Sequence, residues 1–163
     1  MKKIGLLFVF LAGIGIFCAS PLWAGDTCSE EVVTKTVEEA AAMLEAEGET
    51  ALEKIGKIRF CDDNYLFVND LKGKTLMHIK SHLIGKVLIG LKDDMGKRFF
   101  AEFTQTVKGN QASKNGTDYY NGSGWVKYRW PKPGEKAFSP KVSYVRGCLM
   151  GQTNVYVGAG YYE

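Results

Sequence analysis

From Trp125 to Tyr162 the chain is written in strand formers, interrupted twice by turn residues. The candidate strands are Trp125–Trp130, Lys141–Leu149 and Asn154–Tyr162. Pro131-Lys132-Pro133-Gly134 breaks the first from the second, and Gly151-Gln152-Thr153-Asn154 turns the second into the third. Links this short bring each strand back beside its predecessor, because a parallel return needs a crossover of a dozen residues or more. The C-terminal half is therefore predicted to be an antiparallel sheet.

Such a sheet buries one face against something, and the N-terminal half supplies it. Val33, Val37, Ala40 and Leu44 recur at helical spacing, so residues 27–56 read as an amphipathic helix. Thr27 with Glu30 makes a capping box, Glu30 and Glu31 suit the positive end of the helix dipole, and Gly48 marks a kink. Tyr65-Leu66-Phe67-Val68 and Thr75–His78 read as two strands around the turn Asp70-Leu71-Lys72-Gly73-Lys74. Leu83–Leu91 reads as a packed loop. Asp93-Asp94 is taken to begin a second helix, carrying Phe99, Phe100, Phe103 and Val107 on one face. Residues 109–124 are polar and glycine-rich, and read as an exposed loop. The order of helix, two strands, helix and three strands predicts an α+β fold rather than a doubly wound parallel one.

The chain has 163 residues, room for one domain, and opens MKKIGLLFVFLAGIGIFCASPLWAGDTC. Two lysines, an apolar run from Ile4 to Phe17 and a short segment of small and polar residues have the anatomy of a secretory leader. The expected division is a signal peptide over 1–24, cut after Ala24, and a working domain over 25–163. No later apolar run is long enough to span a bilayer, so the exported domain is expected to be periplasmic or secreted. Cleavage removes two of the 21 basic side chains and leaves them nearly balanced with the 18 acidic ones. That balance gives no electrostatic case for nucleic acid. Cys28, Cys61 and Cys148 follow the leader; one disulfide and one leftover thiol is the simplest arithmetic in an oxidising compartment.

Catalytic and metal chemistry find little footing. His78 and His82 lie four apart, but a strand end and a loop separate them, and H-x-x-x-H lacks the glutamate of a metalloprotease signature. Cys61 precedes Asp62-Asp63, whose carboxylates disfavour a thiolate. Gly158-Ala159-Gly160 has no helix after it and so cannot cradle phosphate; close packing in the final strand explains it better. No enzyme activity, metal or cofactor is expected. In Trp125–Trp130, Tyr128 and Trp130 share one face while Lys127 and Arg129 share the other. Lys141 and Tyr144 point oppositely if both lie in regular strand.

Several short motifs occur in the order found in a known family. Phe67-Val68-Asn69-Asp70, Gly73, Leu76, His78, Leu83-Ile84-Gly85-Lys86, Asp93, Gly96 and Phe99 come first. Trp130-Pro131-Lys132-Pro133, Lys141-Val142-Ser143-Tyr144 and Val157-Gly158-Ala159-Gly160-Tyr161-Tyr162 complete the series, and Cys28-Ser29-Glu30-Glu31 has a counterpart too. Over nearly all of the working domain the sequence resembles a single Cache domain of the stand-alone exported kind. Two departures stand out: Ile79 replaces the proline that often follows the histidine, and the 109–124 link is long, either a lid or a surface loop.

The resemblance implies a PAS-like or profilin-like fold, a long N-terminal helix on a five-stranded antiparallel sheet with a small-molecule pocket on the opposite face. It implies extracytoplasmic, sensory-type binding of a small organic acid, with signal output left to a membrane receptor partner. By the same resemblance His78, Tyr128, Trp130, Lys141 and Tyr144 are the candidate ligand-binding residues: Lys141 as the carboxylate's cation, His78 as a donor at the rim, and Tyr144 or Tyr128 as a hydroxyl donor. For His78 a purely structural role stands beside this one, and for Lys141 a solvated one. The family topology favours a Cys28–Cys148 disulfide, with an all-thiol chain or a pairing through Cys61 as alternatives. The competing function is a structural or protein-interaction module of the same fold without a working pocket.

Overall fold

A computed structural model describes residues 28–61 and 63–163. The expected signal peptide and its cut site lie outside the described residues, as do Thr27 and Asp62. Ser29, not Thr27, caps the first helix: its hydroxyl accepts from the Val32 N–H, and α1 runs Glu30–Glu47. Gly48 ends α1, and after a 3-10 turn α2 (Ala51–Lys57) continues the chain.

The central sheet is built from β1 (Arg59–Phe60), β2 (Asn64–Asp70), β3 (Thr75–Met77), β6 (Ser123–Pro131), β7 (Phe138–Met150) and β8 (Thr153–Tyr162). All pairings are antiparallel. The order is β1-β2-β8-β7-β6, with β3 also on β2, so the expected five strands are joined by the two-residue β1. Helix α1 lies on β7 and β8 and buries Val33, Val37, Ala40 and Leu44 against Leu66, Val68, Val155, Val157 and Ala159. On the other face α3 (Phe99–Val107) packs Phe99, Phe100 and Phe103 against Phe67, Val126, Tyr128, Trp130 and Tyr156. Both faces of β2, β7 and β8 are covered, so these strands read as nearly continuous apolar runs.

Asp93-Asp94 does not begin the second helix. Asp93 Oδ1 accepts from the backbone N–H of Met95 and Lys97, its carbonyl accepts from Gly96, and Gly96 has φ +84°. The turn after β2 is built identically: Asp70 Oδ1 accepts from Lys72 and Lys74, its carbonyl accepts from Gly73, and Gly73 has φ +85°. Both read Asp-x-x-Gly-Lys, so one local chemistry makes the same turn twice. Asp93 Oδ2 also accepts from Arg129 N, and Asp94 pairs with the Arg129 guanidinium, which ties this turn to β6.

The 109–124 segment is likewise not an open loop. It folds into a hairpin, β4 (Gln111–Lys114) and β5 (Thr117–Tyr120), around Asn115-Gly116, both at positive φ as a type I′ turn requires. Lys114 pairs with Glu45 of α1, and Asn154 Oδ1 accepts from Tyr120 N. These anchors lie at the opposite end of β8 from Tyr162, so the hairpin is no lid over that end.

The expected Cys28–Cys148 disulfide is absent. Cys148 is a fully buried free thiol in the helix-facing core, opposite Val155. Cys28 precedes α1, an 18-residue helix about 27 Å long, and lies at its far end. There Asn64 Nδ2 contacts both the Cys28 sulfur and the Cys61 carbonyl.

Candidate functional site

On the sheet face away from α1, the antiparallel register lays out two adjacent rows. In one, Tyr162 of β8, Lys141 of β7 and Tyr128 of β6 stand side by side. The next contains Gly160 and Ser143, with Tyr65 one residue beyond the paired Leu66↔Ala159. Gly160 brings no side chain to that row: a Cβ there would lie 2.2 Å from the Ser143 hydroxyl and 2.0 Å from the Val142 carbonyl oxygen. Gly158 is as tightly placed, with a Cβ falling 2.5 Å from the Phe67 ring. The glycine pair thus lets aromatic rings from β2 lie low over the sheet, the close packing expected of this strand.

Phenylalanines 99, 100 and 103 of α3 roof this floor, and Tyr65, Phe67, His78, Tyr128 and Trp130 complete the wall of a hollow. It measures about 210 Å³ counting its mouth, which restricts a guest to a few heavy atoms.

Lys141 is not among the residues lining the hollow; it stands next to it on the same sheet face, 1% exposed and paired across from Tyr128. Its Nζ is 4.1 Å from the centroid of the Tyr65 ring and 4.7 Å from that of Tyr162. Two phenol faces replace part of its hydration, but among the described residues Nζ has no hydrogen-bond partner. Burial, and secondarily the charge of Lys80, bring the Lys141 ammonium down to about 7. The Tyr65 hydroxyl is likewise enclosed, with the Tyr162 hydroxyl and the Trp130 ring N–H beside it. The Tyr128 hydroxyl is satisfied at 3.0 Å from Ser143 Oγ. Burial raises the pKa of both Tyr65 and Tyr128, so they remain neutral phenols.

His78 lies just past β3, edge-on to Tyr65 and Trp130. Its Nδ1 accepts from the Lys80 N–H at 2.9 Å. That bond fixes the neutral tautomer with the proton on Nε2, leaving a single ring donor. Burial first, then the charges of Lys141, Lys80 and His82, bring its pKa down to about 3. Lys80 stands at the rim, its Nζ 5.3 Å from the Trp130 ring centroid and 3.2 Å from the Pro131 carbonyl. His82 is exposed in a 3-10 turn, so the two histidines share no helix face.

Three of the five expected site residues, His78, Tyr128 and Trp130, line the hollow, and Lys141 stands next to it, against Tyr65 and Tyr128. Tyr144 does neither. β7 is regular through Phe138–Met150, so Tyr144 emerges on the helix face and donates to Glu38 at 3.0 Å, beside the Arg146–Glu38 ion pair. Tyr65, Tyr162 and Lys80 belong to the site without having been expected in it. Strand pairing is the signal that finds Tyr162, since it stands directly opposite Lys141. The arrangement combines apolar sides with a buried amine that has no hydrogen-bond partner among the described residues, and none of its lining residues is a carboxylate.

Comparison with known proteins agrees with this fold. The methyl-accepting chemotaxis protein McpP of Pseudomonas putida is 32% identical over 127 residues, which cover 76% of this chain and 21% of that protein. The chain thus spans about a fifth of the length of this curated relative. A solved periplasmic sensor domain of a chemotaxis protein is 33% identical, with TM-score 0.66 over 81% of this chain and 95% of the other. A Cache chemosensory domain solved for carboxylic acid recognition is 29% identical, with TM-score 0.67 over 81% and 91% of the two chains. The family model described as Cache domain matches residues 29–163. This chain belongs to the Cache domain family.

Proposed function

We propose that this domain is an extracytoplasmic sensor module that binds a short organic acid in the hollow between β2, β6 and α3, beside Lys141 of β7. The observation carrying this reading is the enclosed Lys141 Nζ, which has no hydrogen-bond partner among the described residues. An unpaired buried cation is costly, and a carboxylate offers it both a counter-ion and an acceptor. His78 Nε2 and the Tyr128–Ser143 pair complete the polar lining, while Phe67 and the α3 phenylalanines face the hydrocarbon end. Recognition of a carboxylic acid by a related Cache domain supports the same class.

For a guest of ~5 heavy atoms, a ceiling near 1.5 kcal/mol per atom gives about 7 kcal/mol, which is micromolar binding at best. The chemoreceptor relatives, with the leader-like composition of residues 1–24, support display outside the cytoplasm and a membrane receptor as the partner that carries the signal. Among the described residues no helix is long and apolar enough to cross a membrane. A thermal-shift screen against straight-chain and hydroxylated acids of two to four carbons tests the proposal. Stabilisation by short acids, reduced in Lys141→Met, is the expected result. No stabilisation by any of them favours the structural or protein-interaction module instead.

A further inference from the structure

Lys141 is a buried amine with no anion beside it among the described residues. The groups facing it are neutral or basic on every side. β2 brings Tyr65, β8 brings Tyr162, and β6 brings Tyr128. His78 and, at the rim, Lys80 approach from the segment after β3. α3 contributes phenyl rings. The acids nearest this end are directed elsewhere: Asp93 and Asp94 hold the backbone and guanidinium of Arg129, Glu163 pairs with Lys127, and Glu135 is exposed in the turn beyond Tyr162.

Resting on the reading of the pocket as an organic-acid site, we infer that binding is coupled to proton uptake: the guest enters as a carboxylate anion while Lys141 Nζ gains a proton from solvent. The balance is simple. Amine, carboxylate and one proton become an enclosed ammonium–carboxylate pair, and no covalent bond other than N–H forms. In the empty site, burial without an anion brings Lys141 down to about 7, and an arriving negative charge reverses that displacement. His78 is not the acceptor. Protonation would turn its Nδ1 from acceptor to donor against the Lys80 N–H, and burial already holds it near 3. The domain consequently reads acid concentration and external pH together, losing affinity as its surroundings become alkaline.

Calorimetric titration with acetate, propionate and lactate, in paired buffers of different ionisation enthalpy, counts the protons. About one proton is taken up per site at pH 8.5 and close to none at pH 5.5. Affinity falls roughly hundredfold from pH 6 to pH 9, following the protonated fraction of a group with pKa about 7. Residual binding by Lys141→Met carries no uptake. Binding without proton exchange at pH 8.5 overturns the coupling and leaves the acid site standing, as does undiminished uptake by Lys141→Met. Absence of binding by all three acids at every pH overturns both.

Discussion

Replacing Lys141 with methionine isolates the cost of a lysine enclosed without a counter-ion. The two side chains are close in volume, so the change removes the titration and little packing. In the native protein the folded-state value is about 7, against about 10.4 in an unfolded chain. A group whose folded value is depressed in this way makes the unfolded state bind more protons throughout that interval. Stability therefore rises with pH between about 7 and 10 and is lowest, for this group, below 7. Integrating across pH 7 to 9.5 gives a gain of about 3 kcal/mol for the native chain, absent from Lys141→Met. The methionine variant should also be the more stable of the two at pH 7, since it buries no charge. Urea unfolding of both proteins at several pH values, without added acids, measures the difference directly. Surface pairs such as Lys54–Glu47 and Lys57–Glu53 are common to both and cancel. Parallel stability curves over pH 7 to 9.5 would mean instead that Lys141 keeps an ordinary lysine's affinity for its proton.

Other substitutions test the packing and the sheet faces. Gly158→Ala places a Cβ 2.5 Å from the Phe67 ring and 2.9 Å from a Val145 methyl; overpacking of this kind costs about 1–3 kcal/mol in urea unfolding, and an unchanged midpoint contradicts the close approach. Tyr144→Phe deletes a half-buried bond to Glu38 and should lower stability by about 1 kcal/mol while leaving acid affinity unchanged; a loss of affinity would return Tyr144 to the pocket. Burial pushes the Cys148 thiol up to about 12, so iodoacetamide should leave it unmodified at pH 8 until urea unfolds the chain. Peptide mapping of oxidised protein should recover Cys28 linked to Cys61, which neighbours it; a Cys28–Cys148 peptide would contradict the helix geometry.

What was legible in the sequence depended on how local its cause was. Alternation along β6 placed Tyr128 and Trp130 on one face because Lys127 and Arg129 mark the other as wet. β7 is covered on both sides, so its pattern distinguishes no inside from outside, and the resemblance put Lys141 and Tyr144 in one site. Strand parity, carried through without a bend at Pro140, separates them. Tyr65 and Tyr162 were hidden for another reason: their role comes from cross-strand neighbours, and register is not written in either strand alone. The Asp-x-x-Gly-Lys pattern was read correctly at Asp70 and missed at Asp93, where the phenylalanines downstream drew the helix start forward. Asn115-Gly116 carried a hairpin signal that the polarity of its surroundings concealed.

The account stands on a carboxylate-sized guest meeting the enclosed amine of residue 141. A crystal structure of the protein grown with propionate tests this most directly. The expected result is a carboxylate within hydrogen-bond distance of Lys141 Nζ, with the Tyr65 hydroxyl or the Trp130 ring N–H as a second donor and the ethyl group against the phenylalanines of α3. A hollow closed by its own side chains at saturating propionate, or an acid bound elsewhere on the surface, would contradict it.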